Sequence, residues 1–257
     1  MSDARPSVLS RLAARLEQGL ARRLPFEPVR SKLIRPIATL TFDDAPRSAV
    51  TTGAEVLGRT GALATYYING GHTGRAFEGW EQHRLEDLKA LRLAGHELAC
   101  HTFAHIEAAR ASDAERQADL ARNAAYFADH FPEDPLVSFA YPFGSLSLGS
   151  KAFYSKRFFT CRGVMAGVNH GVVDFAELRS NILSSTDWDE AHIAALIEET
   201  VRKTGWLTFF THDVCDRPRR YGCTPNELAR LIDLLTQAGI DIVTIKSGAA
   251  QVLFGQG

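Results

Sequence analysis

Two adjacent acids, Asp43 and Asp44, end an apolar run (Ile37, Ala38, Leu40, Phe42) and are followed at once by Ala45-Pro46. The run reads as a buried strand that stops at the acids and turns at the proline. Side-by-side carboxylates repel each other and resist desolvation unless positive charge offsets them, which a divalent cation would do. The alternative is a plain surface turn, with Asp as a turn residue and Pro fixing the bend. Partners for a cation lie downstream at His101 and His105, four residues apart, so one helical turn would put both imidazoles on one face. Two histidines and a carboxylate form a facial set for a divalent metal, with positions left open for water and substrate. Thr186-Asp187-Trp188 and His212-Asp213 add titratable groups after later apolar runs.

The elements that must hold these residues show as an alternation along the chain. Strand composition recurs at Ile37–Phe42, Leu63–Asn69, His96–Ala99, Val137–Tyr141, Phe158–Cys161, Leu178–Ser184, Trp206–Thr211 and Asp241–Ile245. Helices are expected between them at Ser48–Thr60, Trp80–Ala94, Ser112–His130, Asp189–Thr204 and Thr224–Ala238. Leu85, Leu88, Leu91 and Leu93 are available to the core in the second of these, and Ser112 with Glu115 forms a capping box in the third. Strand and helix alternate without a linker, which argues for one parallel α/β domain, either a closed barrel or a doubly wound sheet. Catalytic groups in such folds sit where strands end at their C-terminal side. That rule places Asp43, Asp44, His101, His105, Asp187 and His212 on one rim. His72, His83, His96, His130, His170 and His192 lack such company and read as structural or solvent-exposed.

The 257 residues are 45% hydrophobic and 23% charged with a net charge of -1, which suits a globular enzyme-sized domain and argues against a nucleic-acid binder. No apolar run approaches the ~20 residues that span a bilayer. The start, Met1-Ser2-Asp3-Ala4-Arg5-Pro6, lacks the features of a secretory signal, so a cytoplasmic protein is expected. Its four cysteines, Cys100, Cys161, Cys215 and Cys223, form no Cys-x-x-Cys pair and read as free thiols. Residues 1–35 are expected as a basic amphipathic segment ahead of a barrel domain over 36–257. Eight basic residues there (Arg5, Arg11, Arg15, Arg22, Arg23, Arg30, Lys32, Arg35) face three acids (Asp3, Glu17, Glu27). Leu9, Leu12, Leu16, Leu20 and Leu24 form a stripe over residues 7–24, fit either to pack on the core or to lie on an anionic membrane surface.

Five segments in order resemble the polysaccharide deacetylases with a NodB homology domain, carbohydrate esterase family four. They are Thr41-Phe42-Asp43-Asp44-Ala45-Pro46, His101-Thr102-Phe103-Ala104-His105, Phe139-Ala140-Tyr141-Pro142-Phe143-Gly144, Asp187-Trp188 and Leu207-Thr208-Phe209-Phe210-Thr211-His212. The resemblance covers roughly residues 36 to 245 and implies a single distorted (β/α) barrel of seven to eight strands. It implies that Asp44, His101 and His105 hold a divalent metal, zinc first, with cobalt, nickel or iron also accommodated. It makes Asp43 the general base, His212 the general acid and Asp187 the acid that orients His212. Phe143 would offer an oxyanion-hole backbone N–H beside Tyr141, and Trp188 would wall the acetyl pocket. Two departures stand out. Ala45 replaces the usual glycine, and Ala140 stands where the family carries an arginine that tethers the base; either another cation orients Asp43, with Arg162 and Arg179 near expected strand ends as candidates, or the base works without one.

The implied substrate is an N-acetylated amino sugar in an exopolysaccharide or its polyprenyl-linked precursor. The pattern is also similar to that of bacterial holdfast polysaccharide deacetylases. An O-acetyl esterase or an aminosugar-lipid deformylase could use the same site, and loss of the arginine would also suit a silent glycan-binding protein.

Overall fold

The computed structural model describes residues 8–256. The chain opens with helix α1 (Val8–Arg23), strand β1 (Pro28–Arg30) and the wholly buried strand β2 (Ile37–Phe42). A stretch π-wound over Ala49–Gly53 continues as α2 (Ala54–Gly58), followed by β3 (Thr65–Ile68), β4 (Ala76–Phe77) and β5 (Trp80–Glu81). Then come α3 (Leu85–Leu93), β6 (Glu97–Cys100), α4 (Asp113–His130), β7 (Ser138–Ala140), α5 (Leu148–Ser155) and β8 (Thr160–Arg162). The remainder runs β9 (Val172–Asp174), β10 (Asn181–Ile182), α6 (Glu190–Lys203), β11 (Trp206–Thr211), α7 (Pro225–Gln237), β12 (Asp241–Ile242) and α8 (Ile245–Phe254).

Seven parallel strands form the central sheet in the order β10-β11-β2-β3-β6-β7-β8, while β12 pairs the lower half of β2 at Ile37 and Ala38. The upper half, Thr41 and Phe42, is left to β3. The sheet curls until β8 reaches Leu178: Leu178 N–H donates to Cys161 O at 2.8 Å, and Gly163 N–H donates to Leu178 O at 3.0 Å. This is the expected single distorted (β/α) barrel. Its inner strands are buried at every position because helices cover one face and the packed interior fills the other. Continuous apolar runs, rather than alternation, follow from that double burial.

Local chemistry accounts for several boundaries. Ser112 and Glu115 form the capping box of α4, Thr224 and Glu227 that of α7, and Asp189 caps α6. Thr244 caps α8 by accepting Ser247 N–H at 3.2 Å, so the strand expected through Ile245 stops at Ile242. The strand expected over Leu178–Ser184 shrinks to Asn181–Ile182, its front part being spent on the barrel closure. The helix expected from Trp80 starts only at Leu85, and Trp80–Glu81 instead pairs antiparallel with Ala76–Phe77. The hairpin's two turn residues, Glu78 (φ 48°) and Gly79 (φ 84°), both take positive φ, the geometry that closes two-residue hairpins. Leu93, expected in the core, is 89% exposed.

Helix α1 meets the domain through Ala21, which joins a buried cluster with Phe139 and Tyr154, and not through the described part of the leucine stripe. Leu16, Leu20 and Leu24 are exposed, whereas Ala21 between them is fully buried. Leu9, Leu12, Arg11 and Arg15 lie outside the residues whose side chains are described. Polar contacts hold the helix instead. Buried Lys151 donates to Ala21 O at 3.0 Å and Leu24 O at 2.8 Å, capping the last helical carbonyls. Asp174 at 2.7 Å and Glu177 at 3.2 Å offset its charge. Arg22 donates to Gly144 O at 3.1 Å, so α1 reaches the loop after β7.

Candidate active site

The end of β2 sets the centre of the site. Asp43 N–H donates to Thr211 O at 2.9 Å, which carries the pairing with β11 one residue past the strand. Asp44 (φ 57°) and Ala45 (φ 44°) then enter the left-handed region, a strained turn for non-glycine residues. Buried His83 supports that turn, with Nδ1 3.0 Å from Ala45 O.

Beyond β6, His101 Nδ1 donates to Ala140 O at 2.9 Å, which leaves Nε2 for Asp44, 3.8 Å away. His105 Nε2 lies 3.4 Å from the same Asp44 oxygen. The histidines converge through a loop and not through the helical turn that their spacing suggested. Thr102 (φ 63°) and His105 (φ 53°) are left-handed, and Asp119 on α4 accepts Phe103 N–H at 2.6 Å and Ala104 N–H at 3.0 Å. Among the described residues Asp44, His101 and His105 form the metal-type group whose ligand atoms lie within 4.8 Å of one another.

Burial would raise the Asp43 carboxyl, but the Arg162 guanidinium, with His101 and His212 behind it, outweighs burial and holds Asp43 below its ordinary value. Arg162 Nη2 donates to Asp43 Oδ1, and the guanidinium is fully buried over the rings of Tyr67 and Phe210. This is the missing tether. Ala140 on β7 and Arg162 on β8 are register partners, so the cation has moved one strand sideways. Arg179 instead donates to Ala166 O. Asp44 has no such cation. Burial, then Asp43 and Glu78, push its carboxyl well up. Burial holds His101 down to about 4 and His105 to about 2, so both imidazoles are neutral, the state that binds a metal. Buried Asp44 Oδ1 has no hydrogen-bond partner. An uncompensated carboxylate aimed between two neutral imidazole nitrogens fits a divalent cation, with one oxygen and two nitrogen donors.

His212 enters from the end of β11, its Nε2 3.9 Å from Asp44. Trp80 of the hairpin stacks on it at 5.5 Å and 18°. Asp187 does not orient it: its carboxylate accepts from the Ser184 hydroxyl at 2.6 Å and the Thr186 hydroxyl at 3.0 Å, while His212 Nδ1 has no partner. The Asp187-Trp188 turn is folded on itself and lines a separate cavity of about 240 Å³ beside α6. Trp188 is therefore no wall of the pocket that holds Asp43 and Asp44. Tyr141 is also withdrawn, buried in the core with its hydroxyl donating to Ala176 O at 3.1 Å.

The cavity at this centre, about 260 Å³, is lined by Asp43, Asp44, His101, His105 and His212 together with Phe143, Gly144, Glu78, Trp80 and Tyr221. Phe143 (φ 59°) and Gly144 (φ 58°) make a left-handed pair that brings their backbone to the wall, and the Phe143 ring stands 4.3 Å from that of His105. A Cβ on Gly144 would meet Val164 at 2.2 Å, so the close approach needs glycine. Glu78, Trp80 and Tyr221 were not singled out from the sequence, although the Glu78-Gly79 pair could have marked the hairpin.

Residues 31–156 match the profile described as "Polysaccharide deacetylase". No curated protein sequence matches the chain. The fold is similar to that of the chitin deacetylase from the fungal pathogen Colletotrichum lindemuthianum, at 17% identity and TM-score 0.58 over 89% of this chain and 91% of that one. It is also similar to a family 4 acetyl xylan esterase from Clostridium thermocellum in complex with a cobalt ion, at 20% identity and TM-score 0.53 over 82% and 89% of the two chains. A mutant of a family-four pseudoenzyme shares it too, at 16% identity and TM-score 0.57 over 90% and 72%. Residues 31–156 thus carry a polysaccharide deacetylase domain, of the NodB type in carbohydrate esterase family four.

Proposed function

We propose that the protein hydrolyses N-acetyl groups of amino sugars in a glycan of the N-acetylglucosamine type. The observation that carries this reading is one cavity in which an Asp-His-His cation set faces a base already paired with Arg162 and a second imidazole at His212. Asp44, His101 and His105 hold the cation, with zinc, cobalt, nickel and iron all suited to the donors. When bound, it polarises the acetamide carbonyl and acidifies water. Asp43, ionised beside Arg162, takes the proton from the attacking water. His212 gives a proton to the departing amine, which cannot leave as an anion at neutral pH. The Phe143 backbone N–H, at the left-handed turn, donates to the oxygen on which negative charge develops.

His212 favours an amide over an ester, because an alkoxide leaves with far less help from an acid. Full-length protein loaded with zinc or cobalt should release amine from N-acetylglucosamine oligomers, and Asp43→Ala should stop it. Metal-loaded wild type that releases none, or that releases only acetate from O-acetylated xylan with His212→Ala unimpaired, would overturn the reading.

The finer reading is an exopolysaccharide, of holdfast type or otherwise, or its polyprenyl-linked precursor at an anionic membrane. Its support is the exposed Leu16, Leu20 and Leu24 on a basic N-terminal helix. Among the described residues no helix is long and apolar enough to cross a membrane. Vesicles of anionic lipid should retain the full chain and not a chain lacking residues 1–30. Equal retention of both would remove this reading.

A further inference from the structure

The two cation-facing histidines differ at their far nitrogens. His101 Nδ1 has its acceptor in Ala140 O. His105 Nδ1 is buried without one, and the nearest carboxylate, Glu78 Oε1, stands 4.0 Å away. A histidine that holds a metal through one nitrogen almost always donates its other N–H to a carboxylate or carbonyl, which fixes the ring and raises its basicity. Glu78 comes from a place where its residue type is otherwise unfavourable. It is the first turn residue of the β4–β5 hairpin, with φ 48°, a position suited to Asn, Asp or Gly. The second turn residue favours glycine: Gly79 has φ 84°, and the Arg219 guanidinium lies against it, donating to Gly79 O at 2.8 Å. Arg219 thus pins the tip so that Glu78 faces the cavity, while Phe77 of the same hairpin meets the His105 ring edge-on at 5.7 Å.

We infer that Glu78 is the positioning carboxylate of the cation site, accepting the His105 Nδ1 hydrogen across the cavity wall. The inference rests on the deacetylase reading of that site. Asp43 is already paired with Arg162, so Glu78 is the one remaining carboxylate beside Asp44 in the cavity lining. The small movement that closes 4.0 Å to a hydrogen bond needs only a side-chain rotation at an exposed turn, since Glu78 is 44% exposed. The hairpin would thereby couple cation binding to the Trp80 face that covers His212.

The test is metal affinity of the full-length, metal-stripped protein, measured by chelator competition with Zn²⁺ and with Co²⁺, alongside the visible spectrum of the Co²⁺ form. Glu78→Ala and Glu78→Asn should each weaken binding ~10–100-fold and alter the cobalt spectrum. Glu78→Gln keeps an acceptor oxygen and should lose less. Asparagine suits the turn, so Glu78→Asn should keep or raise the metal-free melting temperature while still losing affinity, which separates the carboxylate from hairpin folding. Wild-type affinity and spectrum in Glu78→Ala would overturn the inference. A wild-type chain that bound neither ion would overturn the functional reading, and this inference with it.

Discussion

Replacing Arg162 by alanine probes the most unusual part of the site. Asp43 and Arg162 are 5% and 0% exposed, so the substitution leaves a buried carboxylate without its cation. Breaking such a pair costs about 3–5 kcal/mol because the remaining charge is uncompensated. The cost has a definite pH dependence. In the wild type Asp43 is held below its ordinary value, so its contribution to stability is present above the unfolded carboxylate value and is lost as pH falls through the folded one. Without Arg162 burial dominates and the carboxyl rises. The variant's stability deficit should then be largest at alkaline pH and shrink on acidification as Asp43 takes up its proton. Amine release at neutral pH should drop by about 10²-fold or more, the usual scale for loss of a general base. The structure also offers a rescue. Ala140 is the register partner of Arg162 on the neighbouring strand, so both side chains point to the same face of the sheet. Ala140→Arg combined with Arg162→Ala should therefore restore at least tenfold of the lost rate. Urea denaturation at pH 5 and pH 8, with amine release across the same range, reads both effects. An Arg162→Ala variant with wild-type turnover and a pH-independent stability change would refute the reasoning.

Three further outcomes follow from the same geometry. Asp187→Asn should leave turnover within about threefold, because the carboxylate serves its own turn, whereas Trp80→Leu removes the stacked face from His212, worth about 1 kcal/mol or roughly fivefold in kcat; steady-state kinetics of both would show the reverse order if Asp187 orients the imidazole. Burial pushes His83 down to about 4, below the ~6.5 of an unfolded chain, so its share of stability is whole above that higher value and is lost as pH falls toward 4. That share is about 3 kcal/mol at most, and unfolding of His83→Gln should show a shallower slope in this window; an unchanged slope would count against it. Lys151→Met should destabilise by about 3 kcal/mol, since it removes the buried cation between Asp174 and Glu177 and uncaps α1, and faster proteolysis after Arg22 or Arg23 would report release of that helix.

The sequence by itself determined the architecture, and it did so through burial. Strands buried on both faces must be apolar throughout, so β2 and β11 stand out as runs, and capped helices between them leave only a parallel α/β domain. The same logic placed Asp43, Asp44, His101, His105 and His212 at strand ends, and these five line one cavity. What tertiary structure decided was everything that depends on distance across strands or on backbone handedness. Asp187 and Tyr141 occupy the right strand ends but turn away, because their oxygens find partners closer by. Arg162 is 119 residues from Asp43 in the chain, and only strand register shows that it takes the place left empty by Ala140. Helix α1 shows a leucine stripe, yet Leu16 and Leu20 on it are exposed: buried Ala21 faces the domain, Lys151 caps the helix's end carbonyls, and the helix's own Arg22 donates to Gly144 O. The paired acids are where both kinds of information meet. Residue type made Asp43 and Asp44 a site, and their surroundings divided them: a guanidinium keeps Asp43 ionised, while Asp44 is left facing two neutral imidazoles.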